Sequence, residues 1–111
     1  MELQVILSDD VTILEVVGEI DGSTAPMFQQ QVVSLAQSGV KLLLDMSGVT
    51  FMSSAGLRVL LLLYRQISGV GGNVVLVGLS PSLRDTMAAT GFLKYFKTTD
   101  EIGAGLEALR Q

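Results

Sequence analysis

The chain contains no cysteine and no histidine, and these two absences exclude several kinds of chemistry at once. Disulfide bonds, thiol catalysis and zinc sites built from Cys and His ligands are all ruled out. A Ser-His-Asp hydrolase and a phosphohistidine relay are ruled out for the same reason, because each needs an imidazole. A serine nucleophile in this chain would have to use a lysine or a carboxylate as its base.

Basic residues are also scarce. Seven Lys and Arg stand against eleven Asp and Glu, which gives a formal net charge of −4 at pH 7. The sequence has no long basic cluster, and a nucleic-acid-binding surface needs one to neutralise phosphates. We therefore expect no direct binding to nucleic acid.

Long apolar runs are missing as well. The longest covers residues 59–64, whereas a membrane-spanning helix needs roughly 20 apolar residues. The first ten residues, MELQVILSDD, have no basic segment of the kind that opens a signal peptide. We therefore expect no membrane association and a soluble, cytoplasmic protein.

What the chain does have is a high apolar fraction, 49% of its 111 residues. That is enough to bury a continuous core without disulfides or a metal. Apolar periodicity predicts strands at residues 3–7, 11–17, 40–44 and 73–77, and helices that begin near residues 23, 55, 81 and 100. Segments 18–22 and 47–51 are predicted to be loops, segment 92–97 a loop or a brief strand, and Gly39 the end of the first helix.

The order of these segments predicts the class of fold. A strand that is followed by a helix and then by another strand implies parallel pairing with a right-handed crossover. The sequence shows no linker, repeat or low-complexity segment. We therefore predict one α/β domain over residues 1–111.

Two adjacent serines, Ser53 and Ser54, precede the longest predicted helix, where one hydroxyl would suffice as an N-cap. We predict that Ser54 is this cap. The next turn is made of small residues, and Gly56 is a poor helix former by about 1 kcal/mol relative to Ala. Small residues leave the backbone open to another molecule, and a helix N-terminus tolerates a phosphate. Either the serines only finish the helix, or one of them is phosphorylated to switch binding.

Two blocks of the sequence resemble a known family. The first is Gly18-Glu19-Ile20-Asp21 with Thr24-Ala25-Pro26, and the second is LLLDMSGVTFMSSAGL, residues 42–57. Together with segments 72–77, 81–84 and 90–96, they resemble STAS domains, in particular the bacterial anti-sigma factor antagonists. The resemblance covers nearly the whole chain, with the blocks in the family's order.

The resemblance implies a fold and a function. The fold is a single STAS-like domain, a small mixed β-sheet of four to five strands with about four helices packed mainly on one face. Antagonists of this family bind an anti-sigma factor that is also a serine kinase, and so free the sigma factor for transcription. The kinase phosphorylates one serine at the start of the second helix, which weakens binding, and a metal-dependent serine phosphatase restores it. The resemblance implies no enzymatic activity and no cofactor in the antagonist itself.

By position, the family's phosphorylated serine corresponds to Ser54. The family usually has Asp directly before it, whereas this chain has Ser53, a second candidate acceptor. The partner-binding residues expected on this basis are Asp21, Thr24, Ser53, Ser54, Gly56, Leu57 and Arg58. Arg58 is included because it lies one helical turn from Ser54, where it could contact an acidic partner or the phosphate.

Two other functions stay open at this point. The missing Asp favours a STAS scaffold, an accessory subunit of a multi-protein regulatory or transport complex that binds without a phosphorylation cycle. A small enzyme with Ser54 as nucleophile would need Lys41, Lys94, Lys97 or a carboxylate as its base. The sequence also leaves the oligomeric state open between a monomer and a weak dimer.

Overall fold

The computed structural model describes residues 1–110, and its centre is one mixed β-sheet. The strands are β1 (Glu2–Ser8), β2 (Val11–Ile20), β3 (Lys41–Met52), β4 (Asn73–Val77) and β5 (Lys97–Thr99). β1 and β2 form an antiparallel hairpin, and β2 to β5 run parallel, so that the spatial order of the strands is their order in the chain. The helices are α1 (Ala25–Leu35), α2 (Ser54–Gly69), α3 (Pro81–Ala89) and α4 (Ile102–Arg110), and a short 3-10 turn covers Leu93–Tyr95.

The helices cover the two faces of the sheet unequally. α1, α2 and α3 pack on one face, over a core that includes Leu14 of β2, Leu42 and Leu44 of β3 and Leu76 of β4. Within residues 1–110, the opposite face carries only α4, whose Leu109 packs against residues such as Leu43. Residues 42–44 are fully buried, as expected for a strand covered on both sides. The predicted mixed sheet, with helices packed mainly on one face, is confirmed.

β2 and β3 are longer than predicted, because the segments predicted as loops continue the sheet. Pairing is one-to-one from Val11–Lys41 to Glu15–Asp45, and then shifts between Glu15 and Val17 and again between Gly18 and Glu19. By the time Ile20 pairs with Met52, β3 has used two more residues than β2. Two β-bulges in β3 absorb this difference. A bulge breaks the period-two alternation, which is why the sequence pattern resembled a loop.

The first helix also ends earlier than predicted. α1 stops at Leu35 with Ala36 as its C-cap, so the prediction that Gly39 ends this helix is wrong. Gly39 instead lies in the loop before β3 with a φ of +71°, and its N–H donates to the Val70 carbonyl at 2.8 Å. It therefore ties the approach to β3 to the end of α2. Separately, none of the helices within residues 1–110 combines the length and the apolar character needed to cross a membrane.

Candidate functional site

The candidate site lies where β2 and β3 end and α1 and α2 begin. Ile20 and Met52 are the last paired residues of the two strands. Directly after them, the N–H of Ser53 donates to the Ile20 carbonyl at 2.8 Å. This hydrogen bond places the segment that starts α1 beside the segment that starts α2. The carboxyl ends of parallel strands are also where open α/β sheets usually bind their ligands.

Asp21 organises the loop that leads into α1. Its Oδ1 accepts hydrogen bonds from the Ser23 hydroxyl at 2.7 Å, the Ser23 N–H at 2.9 Å and the Thr24 N–H at 3.2 Å. These bonds lower the pKa of the Asp21 carboxyl below its ordinary value, and the bond from the Ser23 hydroxyl contributes most. Thr24 is the N-cap residue of α1, but its side chain makes no capping bond. Its Oγ1 instead accepts from the Asp21 N–H and donates to the Glu19 carbonyl, both at 2.9 Å.

The two serines have different roles. Ser53 is the N-cap of α2, with an extended backbone and an Oγ that accepts from the Ala55 N–H at 3.2 Å. The prediction that Ser54 is the cap is therefore wrong by one residue. Ser54 is the first residue of the helix and is exposed, and within residues 1–110 its hydroxyl has one hydrogen-bond contact, with Arg58 Nη2 at 3.5 Å. The helix thus depends on the hydroxyl of Ser53 and leaves that of Ser54 available.

Gly56 and Leu57 lie below this surface. A Cβ on Gly56 would stand 2.6 Å from Met52 Cγ and 2.8 Å from Ile20 Cγ2, closer than side-chain carbons approach one another. Leu57 is 5% exposed and belongs to the main core. The expectation that Gly56 leaves backbone open to another molecule does not match this geometry, because the glycine faces the end of the sheet. Both residues hold the first turn of α2 in place beneath Ser54.

A shallow groove of about 390 Å³ runs between α1 and α2 beside Ser54. Pro26 and Gln29 line it from α1, and Ala55, Arg58 and Leu62 line it from α2. Of these residues, only Arg58 was predicted from the sequence to bind a partner. The three residues of α2 stand three and four positions apart, which is the spacing of one helix face, and this spacing was the available signal.

The three lysines that could activate Ser54 as a nucleophile are placed elsewhere in the described chain. Lys41 opens β3 and pairs with Asp10 at 2.7 Å, whereas Ser54 follows the other end of that 12-residue strand. Lys94 lies over the Tyr95 ring, and Lys97 belongs to β5, which β4 separates from β3. Asp21, with its lowered pKa, is a poor base. The arrangement suits an exposed acceptor hydroxyl in a binding surface better than a serine enzyme.

The comparisons with known proteins agree with this geometry. The model of the STAS domain family matches residues 2–105. The chain is 32% identical over 78 residues to the anti-sigma-B factor antagonist of Bacillus subtilis, an alignment that covers 70% of this chain and 72% of that protein. It is 29% identical over 111 residues to BtrV of Bordetella bronchiseptica, which carries a provisional designation as an anti-sigma factor antagonist, with coverage of 99% and 96%.

A solved structure shows a similar fold over the same length. The crystal structure of an anti-sigma factor antagonist from Mycobacterium paratuberculosis superimposes with a TM-score of 0.88 and 32% identity. The match covers 99% of this chain and 94% of that one.

Proposed function

Because the chain belongs to the STAS domain family, we propose that it is an anti-sigma factor antagonist. It binds an anti-sigma factor that is also a serine kinase, and this binding frees a sigma factor for transcription. Phosphorylation of Ser54 by that kinase weakens the complex, and a metal-dependent serine phosphatase restores it. The chain acts by binding and has no catalytic step of its own. Since the cycle consumes ATP, we place it in the cytoplasm.

The observation that carries this proposal is the exposed hydroxyl of Ser54 in the first turn of α2. A kinase can modify it without removing the cap, which Ser53 supplies. Within the chain, the added phosphate would meet the partial positive charge of the helix N-terminus and the guanidinium of Arg58. Across an interface, the same charge of about −1.5 to −2 would lose its solvent and oppose an acidic or apolar partner. The modification therefore changes binding more than folding.

The replacement of the family's usual Asp by Ser53 fits the same assignment. Asp and Ser are both among the strongest N-caps, so the substitution keeps the cap and removes one negative charge beside the acceptor. The hydroxyl of Ser53 is engaged by the Ala55 N–H, and the residue is half-buried. A phosphate on Ser53 would disturb the cap, whereas one on Ser54 would not. We therefore assign the phosphate to Ser54 in preference to Ser53.

The partner-binding surface divides into residues that face outward and residues that support them. We propose that Ser54, Arg58 and the groove between α1 and α2 contact the partner, with Asp21 and Thr24 shaping the neighbouring loop. Ser53, Gly56 and Leu57 contribute by fixing the turn that presents Ser54.

The first experiment is intact mass measurement and peptide mapping of the protein recovered from its host cells, both growing and stressed. A population heavier by one phosphate, mapped to Ser54, supports the switch. Phosphate on Ser53 would retain the switch and move it by one residue. A protein that stays unmodified under both conditions would contradict the cycle and favour the scaffold function.

A second experiment separates charge from position. Ser54→Asp places a carboxylate at the acceptor, and we expect the tagged variant to lose the anti-sigma factor that the unmodified chain co-purifies from host cells. Ser53→Asp is the matched control, because it adds the same charge one residue earlier and keeps the cap. We expect Ser53→Asp and Ser54→Ala to retain the partner, and Ser54→Ala to resist phosphorylation. If both Asp variants lost the anti-sigma factor equally, position 54 would have no special role in binding it.

A further inference from the structure

β1 is an unprotected edge of the sheet. It is the first strand in the sheet order, with β2 on one side and no strand of the described chain on the other. Exposed edges are usually blunted by Lys, Pro, a bulge or a very short strand. β5, the opposite edge, has three residues and begins with Lys97, but β1 has seven residues, ELQVILS, and pairs with β2 without a register shift. Its Val5 and Leu7 are 41% and 76% exposed.

The direction of the free backbone groups follows from the hairpin. Ser8 and Val11 flank a two-residue turn and pair with one another, so their backbone groups face each other. Hydrogen-bonded and non-hydrogen-bonded pairs alternate along an antiparallel ladder. The N–H and C=O groups of Leu3, Val5 and Leu7 therefore point away from β2, toward open space.

The same three residues carry an apolar stripe. Leu3, Val5 and Leu7 pair with Val16, Leu14 and Thr12, which places their side chains on the face that α1, α2 and α3 cover. Leu3 packs against that core, whereas Val5 and Leu7 extend past it.

A second copy of β1 complements this edge. When two β1 strands pair antiparallel about Val5, all seven residues of each strand are matched. Leu3 then lies opposite Leu7, and Val5 opposite Val5, so the outward backbone groups meet one another and the apolar stripe is continuous. Registers centred on Gln4 or Ile6 also bring outward-facing groups together, but they match only five residues of β1 in each copy instead of seven.

The charges fit this register as well. Glu2, the only charged residue of β1, lies opposite Ser8 of the other copy, and Gln4 lies opposite Ile6. No two like charges are therefore opposed along the ladder, although the chain carries a net charge of −4. Like charges directly opposite one another would destabilise such a pair.

We propose that β1 forms a two-fold symmetric dimer by antiparallel pairing with β1 of a second copy, with the axis at Val5. The two sheets then form one continuous sheet, and the interface is isologous and closed. Because seven residues of each chain make the ladder, the dimer is weak and concentration-dependent. This interface goes beyond the proposed function and does not depend on it.

The test is sedimentation velocity of the full chain over a concentration series. We expect the unmodified protein to shift from monomer to dimer as its concentration rises. Val5→Lys puts two ammonium groups opposite one another at the axis, and we expect it to raise the dimer dissociation constant at least tenfold. Val33→Lys is the matched control, because Val33 on α1 is 38% exposed and lies outside β1. We expect this control to dimerise like the unmodified protein.

A charge-swap experiment tests the register itself. Val5→Glu alone should also dimerise poorly, but an equimolar mixture of Val5→Glu and Val5→Lys should form a heterodimer, because position 5 faces itself only in the proposed register. Far-UV circular dichroism of each variant establishes that the monomers are folded. A protein that remains monomeric throughout the series, or a dimer that Val5→Lys leaves unchanged, would overturn the proposal.

Discussion

The two halves of the β2–β3 pair are built differently. In the first half, up to Glu15 and Asp45, the strands pair one-to-one, and residues 42–44 are fully buried between α4 and the other three helices. In the second half, two bulges lengthen β3, and one side of the pair is left open, with Val17 and Phe51 44% and 54% exposed. Ser53 and Ser54 follow directly after the last paired residues of this second half.

The difference shows how this fold separates stability from recognition. Regular pairing lets each strand bury alternate side chains in two opposed layers, which is efficient for a core. Bulges reduce the number of side chains that the pair buries. They also bend β3, which brings the start of α2 next to the loop of Asp21. The proposed binding site thus lies at the end of the irregular half, whereas the regular half supplies the core.

The largest difference should appear when one side chain is truncated in each half. Leu43→Ala removes a fully buried side chain from the regular half, and we expect it to lower the free energy of unfolding by about 2–5 kcal/mol. Phe51→Ala removes a larger but exposed side chain from the irregular half, and we expect a change within about 0.5 kcal/mol. Urea denaturation measures both. Equal losses would mean that the irregular half is as much a part of the core as the regular half.

The next effect concerns the glycine where the irregular half meets α2. Gly56→Ala adds a Cβ that contacts Ile20 and Met52, and overpacking of this kind costs about 1–3 kcal/mol. Gly69→Ala in the same helix meets no atom within 4 Å, so it should gain helix propensity without a clash. We expect Gly56→Ala to have the lower denaturation midpoint. If it matches Gly69→Ala, the end of the sheet has room that its close contacts do not suggest.

A smaller effect should separate the two serines. Ser53→Ala removes the N-cap of α2, and we expect it to cost about 1 kcal/mol. Ser54→Ala leaves the cap in place and should change the thermal midpoint little. The comparison tests whether the Ser53 hydroxyl stabilises the helix while the Ser54 hydroxyl does not. A larger loss for Ser54→Ala would reverse their assignments.

The smallest effects should appear at acid pH. The folded-state pKa of Asp21 is lowered from an ordinary value of 3.8, so its contribution is complete above that pH and is lost as the pH falls through the lower folded value. The folded-state pKa of Asp10 is also lowered, chiefly by its hydrogen bond to Lys41, so its contribution to stability has the same pH dependence. We expect Asp21→Asn and Asp10→Asn each to flatten the loss of stability below about pH 4.

Salt distinguishes the two carboxylates in those acid titrations. The Asp10–Lys41 contact is an exposed ion pair, which added salt screens, whereas Asp21 is held by neutral hydroxyl and amide donors. High salt should therefore diminish the effect of Asp10→Asn and preserve that of Asp21→Asn. The opposite salt dependence would contradict the hydrogen-bond origin of the lowered pKa of Asp21.

The sequence predicted the regular parts of the fold because they keep a simple period. Residues 42–44 have the continuous apolar run of a buried strand, and Phe28 and Val32 of α1 are both buried and stand four residues apart, the spacing of one helix face. The segments 18–20 and 47–52 were missed because bulges interrupt alternation, and because Gly18 and Gly48 are typical of loops. Local patterns do not encode the register between two strands.

Only part of the candidate site was predicted from the sequence. The resemblance to the family drew attention to Ser54, but sequence alone placed the cap one residue late, because two adjacent serines satisfy the same preference. The buried position of Gly56 became evident only with Ile20 and Met52 packed against it. The groove between α1 and α2 depends on the crossing of two helices that are far apart in sequence, which no short motif records.

The order of the strands has a consequence for synthesis on the ribosome. Each strand pairs with the one made just before it, so no strand has to insert between two that are already joined. As the chain emerges, the strand made most recently forms an open edge with which the next strand can pair. β5, with three residues, is the last strand added on that side, whereas no later strand of the described chain covers β1.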